Sequence, residues 1–530
     1  MTSVLVTEEI AQAGVDLLRG QFQVDVELNP RPDDLAGRIG AYDALIVRSA
    51  TSVSAGLLEH AGKLKVIGRA GTGVDNVDVA AATRRGIIVA NAPGSNMVAA
   101  AEHAFGLLLS IARNIPQAHA ALTQGRWERK RFAGVELADK VLGIVGFGRI
   151  GQLVATRARA FGMRVVVFDP FVSAERCREL QVSSATLENL LLQADFVTLH
   201  APLTAETRHL IDAERLHLMK PGVRIVNAAR GDLVDLDALA AALRSGHVAG
   251  AALDVFPQEP YTDGPILGLD NVVVTPHLGA STQEAQDRAG VIVAEQVAAA
   301  LRGELVPNAV NIPQIRAEDM DLLGPHLPVA AQLGRLAIGL CEQRLERIDV
   351  TYDGSLAEHD TRLLTSAVIM GAFGSRSDEP VNLVNARAVA ESRGIAVGEG
   401  QARSLGDYTS LIRVSCGEGQ TVSGTTIGRE NRPWLVEIEG YQVEIELAGH
   451  MVVMLNDDRP GIIGRVGTTF GEEGLNIANM SVSRNFRGAR AVMVLALDVP
   501  PTAAALDHLR AVDGVHKVRS VDLNGPPHPP

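Results

Sequence analysis

Cysteine, aromatic residues and positive charge are all scarce in this chain of 530 residues. Its three cysteines, Cys177, Cys341 and Cys416, are odd in number and far apart, so neither a disulfide framework nor a CxxC metal site is expected, and we predict no metal. Acidic residues (62) outnumber basic residues (49). The resulting net charge of −13 argues against a general role in binding nucleic acid or an anionic membrane surface.

Long apolar runs are also lacking, since no segment approaches the ~18 residues that a membrane span needs. The first residues enter a strand directly, without the basic stretch and apolar run of a signal peptide. The sequence therefore predicts a cytoplasmic protein with no membrane partner.

Small aliphatic residues are abundant. Hydrophobic residues make up 46% of the chain although aromatic residues make up only 4%. This mixture suits helices that pack closely on parallel sheets. The chain is too long to fold around a single hydrophobic core, so we expect three or four domains.

Two series of alternating strands and helices follow one another along the chain. Strands of the first are predicted at Ser3–Thr7, Ala44–Val47 and Lys65–Ile67. The second predicts a complete dinucleotide domain over residues 96–282. It begins with a long apolar helix at about Val98–Asn114, and its strands are predicted at Val141–Val145, Arg164–Phe168, Phe196–Leu199, Arg224–Asn227, Gly250–Leu253 and Val272–Val274.

The chain is expected to return to its first domain after the dinucleotide domain. A long helix at about Thr282–Arg302 can carry it back, which makes residues 1–95 and 283–313 one discontinuous substrate-binding domain. Residues 314–447 have glycine-rich turns and no recognisable chemical signature. The tail, 525–530, is rich in proline and is predicted to be disordered.

The last ordered segment, about 448–524, has the element order β-α-β-β-α-β of the ferredoxin-like fold. Its elements are predicted at His450–Leu455, Ile462–Glu473, Ile477–Arg484, Ala489–Asp498, Thr502–Ala511 and Val515–Asp522.

A glycine-rich turn between a strand and a helix marks the cofactor site. Gly146 allows the tight turn, Gly148 allows a pyrophosphate to approach the backbone, and Gly151 allows close packing of helix and strand. Asp169 ends the next strand, where its carboxylate can accept hydrogen bonds from the adenosine ribose and repels a 2′-phosphate, which favours NAD over NADP. The alternative is a structural turn followed by an exposed aspartate.

Three polar side chains follow successive strands of the same domain, where ligands of open α/β sheets collect. His277 suits the role of the base that removes a hydroxyl proton, and Glu259 suits the orientation of its imidazole. Arg230 suits a substrate carboxylate. Each residue alone is better explained as a loop or surface residue, but their joint placement favours catalysis.

These segments resemble the D-isomer-specific 2-hydroxyacid dehydrogenase family. The resemblance rests on the stretches Gly143–Gly151, Leu199–Leu203, Asn227–Gly231, Ala252–Phe256 and Pro276–Thr282. It implies a Rossmann-type doubly wound NAD domain, a flavodoxin-like substrate domain and a catalytic set of Arg230, Glu259 and His277. It also implies that NAD is lined by the three glycines and by Arg149, Ile150, Asp169, Thr198, Ala228, Asp254 and Gly279.

Two segments of the first domain bear on the substrate. Each places an arginine, Arg48 or Arg69, beside hydroxyl or glycine backbone groups at a strand end, which suits an anion such as a phosphate. From the residues alone, turn glycines and surface arginines are an equally good explanation.

The stretches Gly68–Asp78, Asn91–Asn96 and Gly125–Arg131 resemble the members of this family that oxidise D-3-phosphoglycerate, the first step of the phosphorylated pathway to serine. By this resemblance Arg48, Ser49, Arg69, Thr72 and Asn96 surround the substrate. Arg129 is implied to reach the site from a second subunit of a homotetramer or other homo-oligomer, although its basic segment can equally be a solvated loop.

The C-terminal segment resembles an ACT domain, a small module that binds amino acids, and residues 314–447 resemble the intervening α+β domain of the longest members. The resemblance implies that Asn456, Asp458 and Asn476 hold an amino-acid effector, L-serine, at a dimer interface. The alternative is that Asp458 caps a helix and Asn476 forms a turn. A different class of function, an NAD-sensing corepressor of the same fold, is disfavoured by the complete catalytic set and the acidic charge.

Overall fold

The structure is a computed structural model that describes residues 2–313, 315–341, 344–374, 380–402, 408–417, 420–484 and 490–524. The predicted disordered tail, 525–530, lies outside the described residues, and so does Ala489, where a strand was predicted to begin. No helix within these ranges is long and apolar enough to cross a membrane.

The first domain is built on a five-stranded parallel sheet. Its strands are β1 (Ser3–Val6), β2 (Gln23–Val26), β3 (Ala44–Val47), β4 (Val66–Arg69) and β5 (Ile88–Asn91), and its helices are α1 (Gln12–Arg19), α2 (Pro32–Arg38), α3 (Ala55–Glu59) and α4 (Val79–Arg84). The strand order β2-β1-β3-β4-β5 is that of a flavodoxin-like sheet, as the resemblance implied. The prediction missed β2 and β5, and β2 is a partly exposed edge strand whose two valines, Val24 and Val26, alternate with polar residues instead of forming an apolar run.

Two helices, α5 (Met97–Arg113) and α6 (Ile115–Thr123), lead into the second sheet. Its strands are β6 (Val141–Val145), β7 (Arg164–Phe168), β8 (Ser183–Ser184), β9 (Phe196–Leu199), β10 (Val223–Asn227), β11 (Val248–Leu253) and β12 (Val272–Val274), and its helices are α7 (Arg149–Ala160), α8 (Ala174–Glu179), α9 (Leu187–Gln193), α10 (Ala213–Leu218) and α11 (Leu236–Arg244). All strands are parallel, in the order β12-β11-β10-β9-β6-β7-β8. This confirms the doubly wound Rossmann topology, whose crevice lies where the order reverses, between β6 and β9.

Helix α12 (Gln283–Arg302) packs on the first sheet. Its buried face, which includes Val293 and Val297, shares a hydrophobic core with Val4 and Ile46. The helix crosses α1 where glycine meets glycine: a Cβ at Gly14 would lie 2.6 Å from the carbonyl oxygen of Gly290, and a Cβ at Gly290 would lie 2.8 Å from the backbone nitrogen of Ala11. The chain thus returns to the first sheet at α12, and the boundaries of the discontinuous domain stay a prediction.

The third region has helices on one face of a six-stranded sheet. Its elements are α13 (Ala317–Leu323), α14 (His326–Leu340), β13 (Arg347–Gly354), α15 (Arg362–Phe373), α16 (Ala386–Ser392), β14 (Ala396–Ala402), β15 (Ser410–Cys416), β16 (Thr421–Ile427), β17 (Arg432–Ile438) and β18 (Tyr441–Glu446). The order is β14-β13-β15-β16-β17-β18, with only the β13–β14 pair parallel. This α+β region had no recognisable pattern in the sequence beyond its resemblance.

The last region is an antiparallel sheet with two helices. Its elements are β19 (His450–Asp457), α17 (Ile462–Glu472), β20 (Ile477–Arg484), β21 (Arg490–Leu497), α18 (Ala503–Ala511) and β22 (Val515–Asp522). The order β20-β21-β19-β22 is that of the ferredoxin-like fold, as predicted. One face of the sheet packs on α17 and α18, and the other face, through Met451, Val494 and Val521, joins the core of the third region.

The close approach of α12 and α1 yields a stability prediction. We expect Gly290→Leu to lower the melting temperature, because overpacking a tight helix crossing costs about 1–3 kcal/mol. The matched control is Gly37→Leu on α2, where an added Cβ meets no atom within 4 Å. Calorimetry of the two variants checks this, and an equal or higher melting temperature for Gly290→Leu would show that the crossing tolerates a side chain.

Candidate active site

The glycine-rich turn between β6 and α7 has the geometry of a pyrophosphate cradle. Gly146 has a φ of 91°, and a Cβ there would lie 2.6 Å from the backbone carbonyl of His200. Beside Gly148, at the start of α7, an added Cβ would meet open space. The amides at the beginning of the helix therefore face a volume that an anion can enter, and this chain fits NAD at the predicted position.

Asp169 lies against the same turn. Its Oδ2 accepts the amide of Phe147 at 2.8 Å and its Oδ1 accepts the amide of Phe171 at 2.9 Å. Each carboxylate oxygen has a second lone pair, so the group can also accept hydrogen bonds from ribose hydroxyls. The side chain thus fixes the turn, and its predicted hydrogen bonds to the adenosine ribose stay a prediction.

The contacts of the other predicted NAD-lining residues are local, and their contact with NAD stays a prediction. Thr198 is buried at the end of β9 and lies 3.0 Å from His200 Nε2. Ile150 packs against the domain core, and Ala228 follows the buried Asn227, whose amide side chain braces the turn before Arg230. Arg149 points towards the loop at Gly94, on the other side of the cleft.

The structure brings together the predicted catalytic residues. Nδ1 of His277 lies 2.7 Å from Oε2 of Glu259, whose other oxygen accepts the amide of Phe256 at 3.1 Å. Because an ionised carboxylate only accepts, the imidazole proton sits on Nδ1 and Nε2 is the atom available for proton exchange with a substrate. The guanidinium of Arg230 is near enough to act electrostatically on the imidazole.

The two partners shift each other's titration in the expected directions. The hydrogen bond from Glu259 is the main cause of a raised pKa for His277, and burial opposes it. Burial also disfavours ionisation of Glu259, but the hydrogen bonds from His277 and the Phe256 amide lower the pKa of Glu259 below its ordinary value. The pair therefore favours a carboxylate next to an imidazole that readily takes up a proton.

Asp254 holds the loop that carries the histidine. Its carboxylate is fully buried and accepts the Thr275 hydroxyl at 2.6 Å and the amides of Leu278 at 2.7 Å and Gly279 at 2.8 Å. Its backbone carbonyl accepts the amide of His277 at 2.8 Å, which fixes that residue at a φ of 56°. In this structure Asp254 and Gly279 thus position His277, and their predicted contact with NAD stays a prediction.

Sequence reasoning missed His103 on α5. Its Nε2 lies 3.1 Å from both Asp254 Oδ1 and Thr275 Oγ1, so it completes the shell around the buried carboxylate. Burial opposes ionisation of Asp254, and the hydrogen bonds from His103, Thr275 and Leu278 lower the pKa of that carboxyl. Only a position inside a long apolar helix marked His103 in the sequence, which gave no signal of this role.

The first domain faces this site with its predicted substrate residues. Arg48 follows β3, and the loop it begins is clamped by Glu8, whose carboxylate accepts the amides of Arg48, Ala50 and Thr51 at 2.8–3.0 Å. Asn76 clamps the same loop by donating to the carbonyls of Arg48 and Thr51. Sequence analysis missed both clamps, because the residues that they hold are distant in the chain.

Arg69 is the most enclosed cation of the site. Its Nε is buried without a hydrogen-bond partner among the residues described, and burial lowers the pKa of its guanidinium. Arg48 and Arg230 act on Arg69 as neighbouring like charges. A group of cations that includes an unsatisfied buried donor is the arrangement that a multiply charged anion can complete.

The remaining predicted substrate residues lie at the rim. Thr72 donates to Asn96 Oδ1 at 2.9 Å, and Ser49 is exposed beside Arg48. Arg129 lies on an exposed segment near Trp127, which is 77% exposed. The predicted role of Arg129 in the site of a second subunit stays a prediction.

The predicted effector residues lie at two ends of the last sheet. Asn456 is buried, and its Oδ1 has no hydrogen-bond partner within the described part of the chain. Asp458, two residues further on, pairs with Arg484 at 3.2 Å. Asn476 donates to Asp498 at 2.6 Å. The next residue, Ile477, pairs with Leu497 of β21, whereas Asn456 pairs with Ala491 of the same strand. Ala491 and Leu497 are six residues apart along β21, which corresponds to about 20 Å at ~3.3 Å per residue.

Comparison with known proteins gives one family over nearly the whole chain. Family models match at residues 105–279 (D-isomer specific 2-hydroxyacid dehydrogenase, NAD binding domain), 322–439 (D-3-phosphoglycerate dehydrogenase intervening domain) and 450–514 (ACT domain). The D-3-phosphoglycerate dehydrogenase of Archaeoglobus fulgidus is 42% identical over 527 residues, which span 98% of this chain and 100% of that protein. The protein of the same name from Mycobacterium tuberculosis is 43% identical over 525 residues, 98% of this chain and 99% of the relative.

The chain belongs to the D-3-phosphoglycerate dehydrogenase family. Within this family it is an NAD-dependent dehydrogenase, because its Rossmann domain matches the family's NAD-binding domain. A solved glyoxylate reductase from Paecilomyes thermophila is 31% identical and covers 58% of this chain and 98% of its own, with a TM-score of 0.54. The D-3-phosphoglycerate dehydrogenase family thus shares this fold with enzymes that carry other substrate names.

The histidine–glutamate pair predicts a change in pH dependence. Glu259→Gln removes the carboxylate that raises the pKa of His277. Because the oxidation needs a neutral imidazole, the acid limb of kcat/KM should move to lower pH, and the plateau should fall on the order of 10²- to 10⁴-fold.

The pH profile of NADH formation measures both effects. The exposed Glu136→Gln, the same substitution on the same domain, is the control and should retain the wild-type profile. An unmoved acid limb in Glu259→Gln would show that His277 does not set it.

Proposed function

We propose that the chain oxidises D-3-phosphoglycerate to 3-phosphohydroxypyruvate, the first step of the phosphorylated route to L-serine. The observation that carries the substrate assignment is the cation group around the buried, unsatisfied Arg69. It lies across the cleft from the His277–Glu259 pair and is joined to that side by Arg230. Carboxylate and phosphate at the two ends of one small molecule match this distribution of charge.

Each side chain has one task in the proposed reaction. Arg230 binds the substrate carboxylate, and Arg69 and Arg48 bind the phosphate, with Thr72 and Asn96 at the rim. Nε2 of His277 takes the proton of the C2 hydroxyl while Glu259 stabilises the imidazolium that forms. NAD, when bound, accepts the hydride from C2. In the reverse direction the imidazolium returns the proton to the carbonyl oxygen.

We further propose that the enzyme works in the cytoplasm as a homo-oligomer and that L-serine regulates it. One observation supports a second copy of the chain: Asn456 and Asn476 lie at opposite ends of one sheet. Two sheets arranged about a twofold axis can bring Asn456 of one chain next to Asn476 of the other. The buried, unpartnered Oδ1 of Asn456 suits the ammonium group of an amino acid.

The substrate assignment predicts a selective defect in one variant. Arg69→Met should raise the KM for D-3-phosphoglycerate about 10- to 100-fold and leave the KM for NAD near its wild-type value, because one charged hydrogen-bonding partner of the phosphate is lost.

NADH formation with D-3-phosphoglycerate, D-glycerate and D-lactate checks this, with the exposed Arg31→Met of the same domain as control. Turnover of glycerate or lactate without turnover of D-3-phosphoglycerate contradicts the substrate proposal. No hydride transfer to any of the three favours the NAD-sensing corepressor instead.

The effector assignment predicts inhibition by serine. Serine at millimolar concentration should slow the reduction of 3-phosphohydroxypyruvate, and Asn476→Ala should shift the titration to about tenfold higher serine, a typical size for the coupling between two sites. The control is Asn524→Ala, an exposed asparagine of the same domain. The mass of the enzyme in solution, measured in the same experiment, checks the proposed homo-oligomer. A rate that millimolar serine leaves unchanged removes serine as the effector.

A further inference from the structure

Arg230, to which we assign the substrate carboxylate, is paired with a carboxylate of the other domain. Its Nη2 lies 3.2 Å from Oδ2 of Asp75, and its Nη1 donates to the carbonyl of Ala229 at 2.7 Å. Arg230 follows β10 of the NAD domain, whereas Asp75 lies in the loop between β4 and α4 of the substrate domain. The pair therefore spans the cleft.

The two side chains meet over a glycine. A Cβ at Gly73 would lie 2.5 Å from Nη2 of Arg230 and 2.7 Å from Oδ2 of Asp75. The missing side chain lets the ion pair lie against the backbone of the loop that also carries Arg69 at its start. Asp75 also acts electrostatically on Arg69. Burial lowers the pKa of the Arg69 guanidinium, and the negative charge of Asp75 is the largest effect that raises it.

We propose that Asp75 is a built-in competitor for the substrate carboxylate. In the empty cleft its carboxylate holds the position at Arg230 that the carboxylate of the 2-hydroxy acid takes during the reaction. This inference rests on the proposed function only for the identity of that acid. Each binding event then exchanges one ion pair for another, so substrate and product bind less tightly than the cations alone would allow.

A structural role for Asp75 fits the environment less well. The side chain is 67% exposed, and exposed ion pairs of this kind shift an equilibrium by at most about fivefold. Glu8, the other carboxylate of the pocket, is different: it is only 8% exposed and is satisfied by three backbone amides. Glu8 therefore stabilises the loop. Asp75 is exposed and weakly paired, which suits a group that a substrate carboxylate displaces from Arg230.

The test is the separation of KM from kcat in Asp75→Asn. We expect the KM for D-3-phosphoglycerate to fall about two- to fivefold, because the displaced ion pair is worth no more than that, while kcat changes less than about twofold. Asp75→Glu keeps the charge and should stay near the wild-type KM. Glu59→Gln, which removes an exposed carboxylate from α3 of the same domain, controls for the change in net charge and should not lower the KM.

A binding measurement makes the test independent of turnover. D-glycerate carries the carboxylate without the phosphate, and its binding to the enzyme–NADH complex can be followed by nicotinamide fluorescence. Asp75→Asn should tighten this binding by the same factor. A KM and a dissociation constant that rise or stay unchanged, or an equal decrease in Glu59→Gln, would overturn the inference. A wild-type enzyme that binds D-glycerate but does not oxidise D-3-phosphoglycerate would instead overturn the proposed function.

Discussion

The buried carboxylate of Asp254 is the constraint on which the catalytic geometry depends. A fully buried charge is costly unless it is satisfied, and here a hydroxyl, two loop amides and His103 satisfy it. Because the hydroxyl of Thr275 and the amides of Leu278 and Gly279 belong to the segment after β12, the same bonds fix His277 at a positive φ that a non-glycine residue rarely adopts. In this position the imidazole lies 2.7 Å from Glu259. That contact places the imidazole proton on Nδ1 and leaves Nε2 available for proton exchange with a substrate.

Charge is divided between the two halves of the cleft. The NAD domain contributes the His277–Glu259 pair and one guanidinium, and the first domain contributes Arg48 and Arg69, the cations to which we assign the substrate phosphate. Each half is rigid for its own reason: Asp254 fixes the loop on one side, and Glu8 and Asn76 fix the loop on the other. A substrate with charges at both ends completes the site by joining halves that are already formed, which is the preorganisation that catalysis requires.

Local patterns predicted the central sheet and the cofactor turn well. The bounds of β6, β7, β9 and β12 agree with the prediction because buried parallel strands form continuous apolar runs between turns. Strand β2, at an exposed sheet edge, has no such run and was missed. Glu8, Asn76 and His103 were also missed, since hydrogen bonds to partners 25 to 172 residues away have no local signature.

In the described part of the chain, the intervening domain connects the ACT domain to the first domain by packing and by a hydrogen bond, which no sequence pattern predicted. The sheet of the ACT domain shares a core with the intervening domain, and Asn382 of the intervening domain donates to the carbonyl of Gly86 in the substrate domain at 2.8 Å, with Val384 buried beside it. These contacts form a continuous packed path from the ACT sheet to the domain that carries Arg69. His277 belongs to the other domain, so a displacement along this path would alter how the two halves of the cleft close while leaving the His277–Glu259 pair itself intact. If serine regulates the enzyme as proposed above, this route bears on substrate binding rather than on proton transfer, because it leads to the domain of Arg69.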